Sequence, residues 1–500
     1  MLTVRKVIFN MKKNIFSKAT TMVLLICILF SLVACSDDGE YITKGTNLNQ
    51  EDLNSSDRVT IYTYVDPDNK DLHYDQDTKF YYPLLDMVHM YNNYCSLNKM
   101  GEYSVKVVSF SSRDRMIQQM STEIMAGGGP DIIILDNELP VSKLINQGAF
   151  ADMNILLKND KSERKINLDD YDNTLMDTGV FKGKRYMMPM LIEPDIYISN
   201  SALFKDYDLA TNTRLTYSNI NNKLKKFANN SNNLSLTDSY SSSKEIILHY
   251  INDNINKEDY TTDFETKKFK STTESLKKLV KKSIADTKTT KDLSKSECLL
   301  SKGTTDKETG IYTPYNFSLS HMSGYSSTQT TFTGGITEKE NQSRATISCG
   351  FMINNNSNKK EKAFEFIKYS LGERMQRFIT FDSTYGDTYN ITVNKDALNN
   401  SLSSFAYGDI YNITVNKDAL NNSLSSFAYG GTDFDEIKEQ DSFMDKYASY
   451  INSINTYEIR DGYYNDKVIG SLVDDYLQDK ISIDNFIANL NSKTKIYLYE

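Results

Sequence analysis

Tryptophan is absent from this 500-residue chain, and histidine (4), cysteine (5) and proline (7) are scarce. Each scarcity closes off a class of explanation. His73, His89, His249 and His321 are scattered, with no H-x-x-x-H spacing and no neighbouring C-x-x-C, so they outline neither a metal site nor a histidine-based catalytic centre. Cys27, Cys35, Cys95, Cys298 and Cys349 are widely spaced and odd in number, which fits neither a disulfide scaffold nor a zinc motif. The reading therefore calls for no metal and no cofactor. Basic surface is lacking too: the first 34 residues hold five basic and no acidic residues, so beyond them the net charge falls from −9 to −14. Nucleic acid is not an expected partner, because phosphate binding needs a concentrated basic surface. The apolar run from Met22 to Ala34 falls short of the roughly 20 residues a helix needs to cross a bilayer.

That short run has a different use. Lys12, Lys13 and Lys18 precede it and Ser36-Asp37-Asp38 follow it, the layout of a secretory signal. Leu32-Val33-Ala34-Cys35 resembles a bacterial lipobox, in which small residues admit the signal peptidase and the cysteine thiol carries the lipid. Residues 1–34 are read as a lipoprotein signal peptide, with Met11 as a second candidate start. Cys35 is read as the acylated mature N-terminus, holding the protein by palmitate-type chains to the extracytoplasmic face of the cell membrane. Two chains suffice for stable anchoring where one does not. Residues 35–57, polar and without apolar period, read as a flexible tether.

The remainder alternates strand and helix signals. Val59 to Tyr64 is β-rich. Leu84, Val88 and Tyr91 recur at helical spacing within Phe80 to Leu97. Ser104 to Phe110 reads as a strand, and Met116, Met120 and Ile124 share one helical face that Gly127-Gly128-Gly129-Pro130 brings to an end. Asp131 to Leu135 reads as a buried strand. This βαβ order implies an α/β class with a mainly parallel sheet. Tyr186 to Ser199 contains Pro189 and Pro194, which deny it ladder donors and suggest an exposed crossing between two lobes. Phe269, Leu276, Leu279 and Val280 align on one amphipathic helix, and Ala345 to Ile353 is strand-like. The lobes are assigned as 58–190 with 304–354, and 191–303 with 355–500. Residues 386–407 and 408–429 are a tandem copy differing only at Thr388 against Ile410. Two near-identical copies do not make a solenoid, which needs three or more, so one copy is read as surplus.

Several segments, in order, resemble the family 1 extracellular solute-binding proteins of ABC importers, whose maltose-binding members are the best understood. They are Met125-Ala-Gly-Gly-Gly-Pro-Asp-Ile132, Gln147-Gly-Ala-Phe-Ala-Asp-Met153, Gly183-Lys-Arg-Tyr-Met-Met-Pro189, Tyr197 to Phe204, Lys362 to Gln376, and Tyr476 to Ser482 with Tyr497 to Glu500. Ser199 departs from the family's tyrosine before Asn200. The resemblance implies a two-lobe periplasmic-binding-protein type II fold with a hinge and a central cleft. It further implies capture of a small solute, a carbohydrate by preference, and delivery to the transmembrane subunits of an ABC permease. A monomer and no catalysis are expected.

Sugar sites need aromatic faces and hydrogen-bonding groups; without tryptophan, the 34 tyrosines must supply the faces. Candidate ligand residues sit at strand ends facing the cleft: Tyr64, Asp136 and Asn137. Glu193 aligns with a sugar-contacting glutamate of the maltose-binding members, and Tyr325 lies in a Gly-Ser-rich loop. The alternatives are a lipoprotein glycoside hydrolase, for which no local motif nominates the required carboxylate pair, and a binding protein for a polar solute other than sugar.

Overall fold

The computed structural model of the chain describes residues 40–42, 57–64, 81–136, 138–162, 164–210, 213–229, 235–237, 240–284, 298–300, 330–377, 391–392 and 449–499. Strand β1 (Val59–Thr63) alternates buried and half-buried residues, and helix α1 (Tyr81–Leu97) returns along the sheet on Leu84, Met87, Val88, Tyr91 and Cys95. Strand β2 (Val105–Ser109) follows, then α2 (Arg113–Met125). Ser112 caps α2 by accepting from the Arg115 N–H at 3.3 Å, and the positive-φ glycines Gly127 and Gly129 lead the chain away. Strand β3 (Ile132–Ile134) is wholly buried. β1 pairs in parallel with both β2 and β3, as the alternating signals imply.

The chain then reaches β4 (Met188–Pro194) and, across Asp195, β5 (Ile196–Asn200). Helices α3 (Tyr240–Asp253) and α4 (Lys267–Ile284) come next, then β6 (Thr330–Gly334) and the long β7 (Arg344–Ile353). Helix α5 (Lys360–Leu371), β8 (Thr456–Ile459) and α6 (Ile483–Tyr499) complete the labelled elements. The main sheet runs Glu40–Ile42, β2, β1, β3, β7, β4 and Ile391–Thr392, with β8 on the N-terminal half of β7. β7 is antiparallel to both β3 and β4, and the two edge strands also pair antiparallel, so the sheet is mixed and not mainly parallel as the alternating signals imply.

Two separate hydrophobic cores bear out the two-lobe expectation, but not its boundaries. Leu191, Ile192 and Ile196 belong to the first core, because β4 is paired along β7 and buried from Met188 to Ile192. The prolines do not make β4 an exposed crossing. They stand near its ends, and the Ile391–Thr392 pairing falls between them, on Leu191 and Ile192. Residues 355–377 also leave the assigned second lobe. Ala363, Phe364, Phe366, Ile367 and Leu371 of α5 lie in the first core, where Phe366 meets Tyr91 edge-on at 5.2 Å. Tyr450, Ile451 and Ile454 join them. Conversely β6, expected in the first lobe, pairs with β5, and Ile336 lies in the second core. The second core is built on α3, α4, the helix Gly470–Leu477 and α6, with Phe269 stacked on Tyr250 at 5.2 Å and Tyr476 on Phe486 at 4.4 Å. The amphipathic face nominated for α4 (Phe269, Leu276, Leu279, Val280) is buried there.

Three crossings therefore join the lobes: β4 to β5 at Asp195, β6 to β7 through residues 335–343, and β8 into the π-helix Tyr463–Val468. The first two are locked together. Asp195 N–H donates to Arg344 O at 3.0 Å, Gly335 N–H to Asp195 O at 2.9 Å, and Tyr450 OH to the same carbonyl at 2.6 Å. A Cβ on Gly335 would fall 1.7 Å from Asp195 Oδ2, so the buried Asp195 carboxylate packed against this position calls for glycine. Among the described residues no helix is long and apolar enough to cross a membrane, and no group of histidine, cysteine and carboxylate residues could hold a metal ion.

Candidate functional site

Where the three crossings lie side by side, strand register decides which side chains share a face. Glu193 of β4 stands opposite Thr346 of β7, and Thr346 beside Glu458 of β8. Paired residues on neighbouring strands point to one side, so these three make a row across the hinge, with Thr346 Oγ1 3.4 Å from Glu458 Oε1. Glu458 forms part of the wall of a cavity of about 310 Å³ between the lobes. The first lobe lines it with Ser142, Asn146 and Phe181, the second with Glu245, His249, Asn252 and Tyr260, and the third crossing with Tyr457 to Asp461.

The wall is charged and internally paired. His249 Nδ1 lies 2.8 Å from Glu458 Oε1, and its Nε2 is 3.6 Å from Glu245 Oε1. Burial favours the neutral imidazole, but the Glu458 carboxylate and the Glu245 hydrogen bond outweigh it and raise His249 to about 9. In return, burial works against ionised Glu458 while the charge of His249 and then of Arg344 holds it down at about 2. Arg344, 3% exposed at the head of β7, reaches Asp253 at 2.5 Å and Glu458 at 3.6 Å. Asp253 in turn accepts from Tyr217 OH at 2.9 Å.

Direct contacts hold the lobes against each other. Lys467 pairs with Glu138 at 3.1 Å, Ser142 Oγ donates to Asp461 at 2.9 Å, and Asn146 Nδ2 donates to Leu498 O at 3.0 Å. Tyr260 OH also donates to Asn146 Oδ1, and the Lys182 ammonium sits 4.2 Å over the Tyr260 ring. Asp461 is fully occupied, accepting from Ser142, from Tyr464 N–H at 3.0 Å and from Tyr497 OH at 2.9 Å.

The residues nominated from sequence fall differently. Glu193 is half-buried in the hinge row, two strands from the cavity wall. Tyr64 packs partly buried against the first core at the end of β1. Asp136 is buried and spent on structure: it takes Arg113 Nη2 at 2.8 Å and Nε at 3.2 Å, and the Glu138 N–H at 2.8 Å. Asn137 and Tyr325, like Cys35, lie outside the described residues. None of Tyr64, Asp136 and Glu193 lines the cavity. Glu458, His249 and Arg460 were missed because they are brought together from segments more than 200 residues apart. The one available signal was the alternation in Thr456-Tyr457-Glu458-Ile459, which marks the third crossing.

The fold has many solved relatives, three of which describe it. An ABC transporter solute-binding protein from Thermotoga lettingae TMO, bound with alpha-D-tagatose, aligns with TM-score 0.51 at 13% identity over 88% of this chain and 99% of that one. A cyclic alpha-maltosyl-1,6-maltose binding protein from Arthrobacter globiformis aligns with TM-score 0.50 at 14% identity, over 88% and 98%. An extracellular solute-binding protein of family 1 from Alicyclobacillus acidocaldarius gives TM-score 0.50 at 12% identity, over 89% and 98%. At such identities the likeness is one of fold: two lobes of the periplasmic-binding type. No curated protein matches the sequence. The model of the family described as bacterial extracellular solute-binding protein matches residues 94–401, well over half of the chain, and the chain belongs to that family.

Proposed function

We propose that this protein captures a small polar solute, a carbohydrate by preference, between its lobes and presents it to the membrane subunits of an ABC importer. The observation that carries the reading is the cavity at the three crossings, walled by both lobes and by the hinge, so that a bound molecule touches every part that moves on closure. A solute stabilises the closed form only by interactions it makes better there than in the open one. The composition of the wall suits a hydroxylated ligand: Phe181 and Tyr457 offer ring surfaces, and Asn252, Glu258 and Lys257 offer hydrogen-bonding groups. Glu193, the sequence's candidate for a sugar contact, stands in the hinge row two strands from this wall.

The reading includes no turnover. Glu458, Asp253 and Asp461 are held by His249, Arg344 and Tyr497, which fits a wall that positions rather than a carboxylate pair poised as acid and base. It does include the lipid anchor at Cys35 on the outer face of the membrane and a monomeric body; the tether expected over 35–57 is interrupted by Glu40–Ile42, which pairs with β2 as an edge strand.

The test is a thermal-shift screen of residues 36–500 against d-tagatose, maltose, cellobiose, amino acids, polyamines and phosphorylated metabolites. A ligand at about 100 times its Kd stabilises by roughly 2.7 kcal/mol, a readable shift. We expect a shift with one saccharide class and its loss in Asn252→Ala, a residue of the cavity wall. A shift only with a non-sugar solute overturns the carbohydrate assignment, and no shift with any compound overturns capture itself.

A further inference from the structure

We propose that the buried chain of charges running from Asp253 through Arg344 and Glu458 to His249 fixes the angle between the lobes, so that it sets closure of the empty protein and, through closure, its affinity for solute. The chain joins parts that must move relative to one another. Asp253 and His249 lie on α3, in the second lobe. Arg344 opens β7 on the second crossing, and Glu458 sits on β8, at the third. Each link runs between two of these elements: Arg344 to Asp253 at 2.5 Å, Arg344 to Glu458 at 3.6 Å, and Glu458 to His249 at 2.8 Å. Any rotation of α3 about the hinge strands must lengthen at least one link.

The chain is also selective about geometry. A guanidinium is a rigid fork that can hold two carboxylates in different directions, whereas an ammonium is a single point of charge. Arg344 uses the fork across two elements, and the two cations balance the two carboxylates. The fork is not saturated in this posture. Arg344 Nε and Nη1 find no hydrogen-bond partner although the side chain is 3% exposed, and Nη1 faces Glu458 at ion-pair rather than hydrogen-bond distance. A small turn of β8 toward Arg344 would convert that contact into a hydrogen bond. Glu245 and Arg460, 3.6 Å apart, continue the same pairing to the rim of the cavity. Arg344, which does not line the cavity, is therefore a positioning residue acting on the solute through the lobes, whereas Glu458 also stands in the cavity wall.

The proposal about the hinge stands by itself; only its consequence for affinity rests on the capture reading. The test uses residues 36–500 with Cys298→Ser and a dye pair at Ile155→Cys and Lys480→Cys, one on each lobe. Energy transfer is read in the empty protein and with d-tagatose, maltose and cellobiose. Glu458→Gln, which keeps shape and loses charge, and Arg344→Met should each shift the transfer efficiency of the empty protein, and Arg344→Lys should restore part of the shift. Unchanged efficiency in folded Glu458→Gln overturns the proposal even if Arg344→Met fails to fold. Affinity is compared in the Arg344 variants, since Arg344 does not line the cavity, and shifted lobes there with wild-type affinity for whichever probe binds overturn the link to affinity. If none of the probes binds wild type while the variants still shift the lobes, the carbohydrate reading fails for these probes and the hinge assignment stands.

Discussion

Single residues carry two consequences that can be measured directly. His249 is raised to about 9 from an ordinary 6.5, so its stabilising contribution is complete below pH 6.5 and is lost as pH rises through about 9. Glu458, lowered from 4.5 to about 2, works in the other direction: its contribution is complete above pH 4.5 and is lost as pH falls through about 2. Melting curves should therefore decline on the alkaline side between pH 6.5 and 9. His249→Gln should lie below wild type by on the order of 3 kcal/mol at neutral pH, as removing one partner of a buried pair does, and its alkaline decline should be flatter. Equal slopes for the two proteins would remove His249 as the cause. At Gly179 the constraint is steric. An added Cβ would lie 2.0 Å from Met187 O, a backbone atom, whereas at Gly350 the nearest atom is the side-chain sulfur of Met187 at 2.5 Å. Gly179→Ala should cost at least as much as ordinary overpacking, about 1–3 kcal/mol, and Gly350→Ala less; urea midpoints of the two variants rank them.

At the scale of elements, the tandem copy makes a clear prediction. Residues 386–407 supply the two-residue strand Ile391–Thr392 on the outer side of β4, so deleting 408–429 should leave the melting temperature and solute response unchanged. A drop of several degrees would show that both copies are structural. The elements that sequence made legible are those with a local cause. β1, β2, β3 and α2 were readable because Val59-Ile61, Val105-Val107, the Ile132–Ile134 run and the spacing of Met116, Met120 and Ile124 each bury one continuous face. α5 was legible as a helix but placed in the wrong lobe, since nothing in Ala363-Phe364-Phe366-Ile367 says which sheet it covers; its direct connection to β7 decides that. The cavity wall was illegible for a related reason. Glu458 takes its meaning from Thr346 and His249, and pairing across such sequence distances leaves no local pattern.

For the whole molecule, the proposed anchor at Cys35 and the proposed capture between the lobes are separable. Cys35→Ser should release the protein from the membrane fraction into the medium without altering the melting temperature of the folded body. Recovery of the variant in membranes would mean that something other than the lipid holds it there. The three crossings also govern how the molecule comes into being. The first core is closed by Phe366, Tyr450 and Ile454, and the second by Phe486, Leu490 and Leu498 near the C-terminus, while Asn146 waits for the carbonyl of Leu498. Neither lobe is a contiguous stretch, so neither can finish folding while the chain is still being exported. Contacts of such high sequence separation form slowly. The interleaving that builds the hinge thus keeps the polypeptide loose enough to be threaded across a membrane, and defers its final shape to the side on which it works.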